Sequence, residues 1–518
     1  MSTKSMSNQF NVLKNSTSIF FAWLTPIAVQ FLAIPFIVNR LGNDQYGIYT
    51  LGLTVMGYFA ILDMNMVKGG IRYIAEFNGK GDDEKVKQVI SFGFLAYLAI
   101  GILGCSLIML SVDPVLMRMF KIPANYTETA RIVLFLTGGG FLSNILKSYM
   151  LSLPKALHRF DISNQTDVLF QVITTLATVV LVYAGYGLLE IVALRIVSNL
   201  LCVIALMASV KRCLPYFRFT MAFEKALIRN IASYSVITFI GRIGTVTSNH
   251  FHLIVVGAIL GPAAVTLFSV PQQLVSRIMS LSSRLSMMIF PISSELGAKR
   301  EIEKLHVIYI RMSRFMFFLN MMLTVVFVAF AHDILLIWMG SEFADQAFRV
   351  LALIAVGFLF DRVTMMPSLV TEGLDHPMVT SAFAFIRGAT AIALTYAGGV
   401  LVGLDGVAWG FLASSAICSI SFNVYVHRIT IKLSIARVLK EAYSLTFFCS
   451  LFITAITLVL KKAMALVDSF WISLASQSLI VSVLFMLLGY FGVLNQEERW
   501  RLMNTMMKKI PSSKSVHS

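Results

Sequence analysis

The sequence predicts an all-α polytopic membrane protein with about fourteen membrane-spanning helices. Its 518 residues are 57% hydrophobic and only 13% charged, with a mean hydropathy of +0.80. This composition is far more apolar than that of a water-soluble chain of similar length. The apolar runs are also long enough to cross a bilayer, which takes roughly 20 helical residues. Bounded by charged and turn-forming residues, they lie at about 15–38, 46–65, 89–111, 131–152, 167–186, 188–210, 231–257, 263–292, 312–337, 347–372, 378–399, 403–426, 442–460 and 470–493.

The positions of the basic residues predict which side of the membrane each loop faces. The formal net charge of +16 is spread over short loops and is not gathered on a soluble domain, which argues against nucleic-acid binding. With the N-terminus inside, lysine and arginine concentrate in the cytoplasmic segments, as membrane topology requires. We therefore predict that both termini are cytoplasmic. The predicted outer loops hold seven basic residues: Arg40, Arg118, Lys121, Arg131, Arg349, Lys461 and Lys462.

The sequence repeats itself at an offset of 219 residues. Leu41–Tyr49 resembles Leu260–Phe268, and the charges of Glu76–Lys85 recur in Glu295–Lys304. Each copy contains six spans, and an even number returns the chain to the same side, so two parallel six-helix lobes are expected. The predicted organisation is an N-lobe over 1–214, a C-lobe over 215–430, and a C-terminal helix pair with a cytoplasmic tail over 431–518.

Three arginines lie in the spans 231–257 and 263–292, namely Arg242, Arg277 and Arg284. A charge at the bilayer centre costs from roughly 3 to more than 10 kcal/mol unless it is compensated. No acidic residue occurs between Lys225 and Glu295, so these two spans supply no partner. Arginine donates two parallel hydrogen bonds to phosphate and stays protonated. We therefore predict that the three arginines bind the phosphate of an anionic lipid-linked cargo, the alternative being a structural contact with another helix.

Two further intramembrane arginines are candidates for the same role, Arg362 and Arg195. Arg195 follows Glu190 by five residues, which is a poor spacing for a pair on one helix, so its structural and substrate-binding roles both stay open. Structural pairs are favoured elsewhere. Asp361 and Arg387 fall at matching depths in consecutive spans, so we expect them to form an ion pair. Arg362 would then be the charge without a partner. Lys147 could pair with Asp167 at the facing ends of two consecutive spans.

Three carboxylates could couple transport to a proton or sodium gradient: Asp63, Asp361 and Glu372. A desolvated carboxylate can hold a proton or a cation. Asp63 could equally cap a helix or pair with Lys68.

No other cofactor is expected, because the sequence has neither a phosphate-binding loop nor a zinc-protease motif. Its five cysteines form neither a disulfide framework nor a metal-spaced cluster.

An enzyme is not expected. A membrane glycosyltransferase or polysaccharide polymerase generally needs outer-loop carboxylates, and the longest outer loop offers only Asp113 and Glu128.

The start of the chain resembles a known family. An opening span over Asn15–Pro35, then the Leu41–Tyr49 segment, Asp63, and Arg72-x2-Ala75-Glu76 are similar to the start of polysaccharide biosynthesis proteins. These include the O-antigen flippases of the multidrug/oligosaccharidyl-lipid/polysaccharide (MOP) exporter superfamily, which also contains the lipid II flippase and the multidrug and toxin extruders (MATE).

The resemblance implies a MATE/MOP-like fold in which spans 1, 2, 7 and 8 line a central cavity. It also implies a cargo, an undecaprenyl-pyrophosphate-linked oligosaccharide moved from the cytoplasmic to the periplasmic leaflet of a bacterial inner membrane. The expected partners are that glycan lipid, membrane lipids, and a polysaccharide polymerase or other assembly proteins, with a monomeric transport unit. Alternatives are a flippase for capsule or teichoic acid units, or a multidrug extruder, whose cationic drugs would require acidic cavity residues.

Overall fold

The computed structural model describes residues 3–63, 66–214, 218–220, 224–464 and 470–500, with side chains within 24–63, 73–214, 218–220, 224, 242–463 and 470–500. All regular structure in these ranges is helical. The α-helices are α1 Thr3–Phe59, α2 Met66–Lys80, α3 Asp83–Ser111, α4 Met117–Met119, α5 Thr127–Ala156, α6 Phe160–Tyr183, α7 Leu188–Cys213, α8 Lys225–Ile259, α9 Pro262–Ser286, α10 Ile289–Ala298, α11 Ile302–Ala329, α12 Ala331–Met339, α13 Ser341–Val363, α14 Met365–Gly373, α15 Pro377–Val402, α16 Leu404–Tyr425, α17 Ile435–Val438, α18 Leu445–Met464 and α19 Phe470–Leu487. Short 3₁₀ turns (Ala60–Asp63, Ala124–Tyr126) and π turns (Val112–Leu116, Val426–Thr430, Leu439–Ser444, Leu488–Val493) adjoin them.

Eleven helical segments of the described chain are long and apolar enough to cross a membrane, so the protein is a multi-pass membrane protein. The predicted spans 1 and 2 both fall on α1 and count there as one segment. The predicted spans 7 and 8 fall on α8 and α9, which are not among the eleven. Two glutamines and two arginines make α9 more polar than its neighbours. The all-helical class is confirmed, and the count of fourteen stays a prediction.

The chain groups into two compact units. Unit 1 comprises Met1–Leu274, Leu335–Val350 and Ser381–Ser414, and part of its core joins α1, α5 and α7 around Ile48, Val133 and Leu188. Unit 2 comprises Val275–Ile334, Leu351–Thr380 and Ser415–Ser518. Within unit 2 the C-terminal helices α18 and α19 pack on α11 through buried residues, including Val325, Ile453 and Phe485.

Within unit 1 the two copies of the repeated segment contact each other reciprocally. Gly42 and Gly261, which are 219 residues apart, both have positive φ, at 81° and 86°. Thr266 Oγ1 donates a hydrogen bond of 2.6 Å to the carbonyl of Asn43. In the mirrored contact, a Cβ added to Gly47 would lie 1.9 Å from the carbonyl oxygen of Pro262. Since Asn43 corresponds to Pro262 and Gly47 to Thr266, the two contacts have the geometry of a local two-fold axis.

A proline in the first half of α1 removes a backbone donor. Pro35 has no N–H, so the carbonyl of Phe31, four residues earlier, has no partner within the helix. Trp338 of unit 1 supplies that partner, because its indole N–H donates to the Phe31 carbonyl at 2.7 Å. The Trp338 and Phe31 rings also stack, with centroids 4.8 Å apart. One side chain therefore satisfies the exposed carbonyl and stacks on the ring of the same residue.

We predict that Gly47→Ala lowers the apparent melting temperature of the detergent-solubilised protein. The new methyl group overlaps the Pro262 carbonyl, and overpacking of this kind costs about 1–3 kcal/mol. Gly79→Ala is the matched control, because a Cβ at Gly79 meets nothing within 4 Å. Equal melting temperatures for the two variants would contradict the close contact between the repeated segments.

Candidate functional site

The candidate site of unit 1 is built around Asp63, where α1 gives way to a 3₁₀ turn. The hydroxyl group of Tyr97 on α3 donates a hydrogen bond to Asp63 Oδ1. Arg242 of α8 places Nη2 at 3.9 Å from Asp63 Oδ2. The acid that α8 and α9 do not contain is therefore supplied by the 3₁₀ turn that follows α1.

The contact between Arg242 and Asp63 is loose. Charge-assisted hydrogen bonds between nitrogen and oxygen are about 2.7–2.9 Å long, so 3.9 Å is an electrostatic contact without a hydrogen bond. Arg242 Nε is buried and has no hydrogen-bond partner within the described part of the chain. The Arg242 side chain is 32% exposed and that of Asp63 is 15% exposed. The guanidinium thus keeps donor capacity for a ligand that reaches its exposed end.

Backbone packing holds α8 in place around Arg242. A Cβ on Gly244 would lie 2.4 Å from backbone atoms of Ala384 and Phe385, so α8 and α15 are in direct backbone contact. Two turns beyond Arg242, the His250 ring occupies the space beside Gly57 of α1, 2.5 Å from where a Cβ would lie. Because the backbone is fixed on two sides, Arg242 can move mainly through its own side-chain torsions.

A second arginine contact lies on α1, the helix that precedes Asp63. Arg195 of α7 donates from Nη1 to the Tyr49 hydroxyl at 3.2 Å, and the Tyr49 ring lies 6.1 Å from that of Tyr46. Arg195 Nε is buried without a hydrogen-bond partner in the described ranges. Tyr49 lies within α1, whereas Asp63 lies in the 3₁₀ turn beyond its end, fourteen residues further along the chain. The segment from Tyr49 to Asp63 thus has an arginine contact at each end.

The remaining predicted arginines lie in unit 2. Arg277 and Arg284 are on α9, two turns apart, and both are exposed. Arg362 of α13 donates from Nη1 to the Ser283 hydroxyl and lies over the Phe358 ring, 5.8 Å from its centroid. Charged side chains at membrane depth face the protein interior or a hydrated space. The exposed arginines of α9 therefore indicate a polar, water-accessible face on this helix.

Of the predicted structural pairs, the structure brings one together. Lys147 Nζ lies 2.9 Å from Asp167 Oδ1, and Gln171 Nε2 donates to Asp167 Oδ2 at 2.8 Å. Asp361 lies on α13 and Arg387 on α15, and their pairing stays a prediction.

The carboxylates considered for ion coupling lie in different surroundings. Glu372 is exposed in the last turn of α14 and accepts a hydrogen bond of 3.2 Å from Thr380. The alternative partner of Asp63, Lys68, has its side chain outside the described residues. Among the described residues no group of three or more His, Cys, Asp or Glu could hold a metal ion.

Sequence reasoning missed the hydroxyl groups that contact the intramembrane charges. Tyr97, Tyr49 and Ser283 contact Asp63, Arg195 and Arg362 respectively. Their only signal in the sequence was a hydroxyl within an apolar run, which requires a hydrogen-bond partner when it is buried. Nothing in the sequence said which partner each would find.

Comparison with known proteins identifies the family. Residues 12–297, more than half of the chain, match the family described as polysaccharide biosynthesis protein. The chain belongs to the polysaccharide biosynthesis protein family. It is 20% identical over 400 residues to the "Putative O-antigen transporter" of Shigella flexneri, covering 74% of this chain and 90% of the relative. It is 23% identical over 504 residues to the membrane protein EpsK of Bacillus subtilis (strain 168), covering 94% and 96%.

Solved structures confirm that the family member has a MATE/MOP fold. The lipid II flippase MurJ in an inward closed conformation superimposes with a TM-score of 0.69 at 14% identity, covering 92% of this chain and 98% of MurJ. An inward-facing multidrug resistance MATE family transporter of the MOP superfamily gives a TM-score of 0.68 at 15% identity, covering 81% and 99%. At these identities the likeness establishes the fold.

We predict that Lys147→Met lowers the apparent melting temperature, because it removes the cation that neutralises Asp167. Breaking a buried pair costs about 3–5 kcal/mol, and the partial exposure of Asp167 reduces the expected loss to about 1–3 kcal/mol. The double variant Lys147→Met/Asp167→Asn should recover most of that loss, since no uncompensated charge remains. A double variant as unstable as Lys147→Met alone would show that the loss has another origin than the ion pair.

Proposed function

We propose that this protein is a flippase for a lipid-linked oligosaccharide pyrophosphate. Membership of the polysaccharide biosynthesis family and the similarity to a protein named as an O-antigen transporter support this proposal. The fold shared with a lipid II flippase supports it as well. The observation that carries it is the set of arginines within the predicted spans, namely Arg195 and Arg242 with buried Nε atoms, and the exposed Arg277 and Arg284.

The chemistry of these arginines suits a pyrophosphate cargo. A pyrophosphate diester presents several anionic oxygens, and the planar guanidinium binds such oxygens through parallel hydrogen bonds without losing its proton. In the proposed cycle Arg242, Arg277 and Arg284 capture the pyrophosphate from the cytoplasmic side, with Arg362 and Arg195 as further ligands. The two lobes then rock about their common axis, and the head group leaves on the outer side while the lipid tail stays in the bilayer.

The finer parts of the proposal follow from the family resemblance and the topology. The cargo is an undecaprenyl-pyrophosphate-linked repeat unit of O-antigen or a related surface polysaccharide, and the protein lies in the bacterial inner membrane with both termini cytoplasmic. It works as a monomer without catalysis, and passes its product to a polymerase. A proton or sodium gradient would act through Asp63, Asp361 or Glu372, since carboxylates at membrane depth bind protons and cations.

A multidrug exporter is the second candidate, and the shared fold with a multidrug resistance MATE transporter is the observation in its favour. The charge of the intramembrane residues argues against it. A cationic drug would be repelled by the arginines of α8 and α9, and a ligand is moved only if it binds the transporting states favourably. The two functions therefore predict cargos of opposite charge.

In cells that lack this gene, we expect loss of surface polysaccharide and accumulation of intact lipid-linked oligosaccharide on the cytoplasmic leaflet. The amounts of surface polysaccharide and of lipid-linked oligosaccharide are measured. A membrane-impermeant glycan-modifying reagent reports on which leaflet the lipid-linked oligosaccharide lies. Expression of the wild-type protein serves as the control for restoration. The deletion could instead leave full-length surface polymer and unchanged intermediates and make the cells sensitive to cationic drugs. That result would establish the multidrug exporter.

Arg277→Ala should reduce transport more than Arg387→Ala. Hydrogen bonds to charged groups contribute about 1.5–3 kcal/mol, so the loss of one phosphate ligand should lower transport by about tenfold or more. Arg387 is predicted to have a structural role, so Arg387→Ala should lower the stability of the protein more than its transport rate. Equal transport losses in two variants that are both folded and inserted would remove the distinction between these arginines.

A further inference from the structure

The Asp63 carboxylate is an anion that lies next to the guanidinium of Arg242, the group proposed to bind a phosphate of the cargo. It is anionic, it presents oxygen atoms, and its Oδ2 lies 3.9 Å from Arg242 Nη2. Carboxylate and phosphate are the two anions that the guanidinium fork matches. The empty protein thus already holds an internal substitute for the cargo's anionic group.

We propose that Asp63 is a built-in competitor for Arg242, which neutralises the arginine in the empty protein, yields it to the cargo pyrophosphate, and takes it back when the cargo leaves. This inference rests on the proposed function and identifies a group that controls affinity and release at that site. Asp63 is a positioning residue in this scheme, because it acts on the cargo through Arg242.

Asp63 is held more firmly than Arg242, so Arg242 is the partner that moves. Tyr97 holds Asp63 by a hydrogen bond to Oδ1, the oxygen that is not directed at Arg242. Arg242 is held by Asp63 only through a contact that is too long for a hydrogen bond, and its Nε has no partner in the described part of the chain. The long arginine side chain can therefore turn towards a ligand while the short aspartate stays at its place in the 3₁₀ turn that follows α1.

The surroundings support a change of partner without a change of fold. The contact of Gly244 with the α15 backbone fixes α8 next to Arg242, and His250 packs against α1 at Gly57. Arg242 is 32% exposed, so a ligand can reach it where it does not touch Asp63. The other titratable groups near the pair in the described residues are His250 on α8, Tyr97 on α3, and Tyr149 of α5, whose ring stacks on Tyr97 at 4.8 Å. None of these is an acid that could replace Asp63 as the counter-ion.

Internal competition has a measurable effect on cargo binding. When the binding-competent form is only a fraction of the molecules, the apparent dissociation constant rises by the inverse of that fraction. If Asp63 engages Arg242 in about nine of ten empty molecules, removal of its charge tightens binding by about tenfold. Removing the Asp63 charge also slows release of the cargo, because no internal anion then binds Arg242 again. Tighter binding and slower turnover are therefore expected together.

The test uses the full-length protein in lipid nanodiscs and a defined probe, a farnesyl pyrophosphate esterified at its other end with N-acetylglucosamine. Such a diester lacks the second phosphate ionisation near pH 6, so its charge does not change around neutral pH. Dissociation constants are measured by calorimetry, and release rates by dilution of the loaded protein. We expect Asp63→Asn to bind about tenfold more tightly and to release the probe correspondingly more slowly.

Asp63→Glu should shift affinity in the opposite direction. It keeps the charge, and its extra methylene group brings the carboxylate closer to Arg242, so the internal competitor becomes stronger and the probe binds several-fold more weakly. This variant keeps the proposal testable if Asp63→Asn fails to fold. Asp167→Asn is the matched control, because it removes the acid of another intramembrane pair in unit 1 and should leave affinity within about twofold.

The outcomes separate this inference from the proposed function. Probe binding that is equal or weaker in Asp63→Asn would make the contact a structural pair and overturn the inference. The inference also fails if Asp63→Asn tightens binding equally in an Arg242→Ala background, because the effect would then bypass Arg242. Failure of the wild-type protein to bind the probe at all, or binding of cationic drugs in its place, would overturn the proposed function itself.

Discussion

An unpaired charge inside a bilayer is so costly that every intramembrane arginine or lysine must be neutralised, hydrogen-bonded or hydrated. The described contacts form a graded series. Lys147 has a close ion pair with Asp167, whose other oxygen is also hydrogen-bonded. Arg242 has a carboxylate at a distance too long for a hydrogen bond, and Arg195 has a neutral hydroxyl. The weaker the internal partner, the more of the guanidinium is available to an external anion, which ranks these cations by their suitability for cargo binding.

Helix α1 connects these electrostatic features with the fold. Its regular pattern is interrupted at Pro35, which lacks an N–H, at Gly42, which has non-helical φ and ψ, and at its end by the 3₁₀ turn that contains Asp63. The proline leaves a carbonyl available to Trp338, the glycine allows the turn that begins the repeated segment, and the final turn presents a carboxylate to Arg242. A helix that is irregular at three places can therefore contact four other helices through backbone and side-chain groups, where a straight helix would offer only its apolar surface.

Composition and periodicity were enough to predict the helical class, and the short N-terminal pattern was enough to predict the family. The Lys147–Asp167 pair was foreseeable, because both residues lie at the same depth on consecutive spans. The Arg242–Asp63 contact was not, since the residues are 179 positions apart and no periodic pattern relates α1 to α8. The division of the apolar run 263–292 into α9 and α10 was also missed. That break depends on local backbone geometry, which hydropathy does not report.

The indole of Trp338 gives the Pro35 segment of α1 an optical property of its own. Of the chain's five tryptophans, Trp409, Trp471 and Trp500 are largely exposed, whereas Trp338 is 8% exposed, stacked on Phe31 and hydrogen-bonded to its carbonyl. Any change of backbone geometry at Pro35 changes the stacking and the hydrogen bond of the same ring. Its fluorescence therefore follows the geometry of this helix, and a protein in which the other four tryptophans are replaced by phenylalanine would carry its own conformational reporter, with no added label.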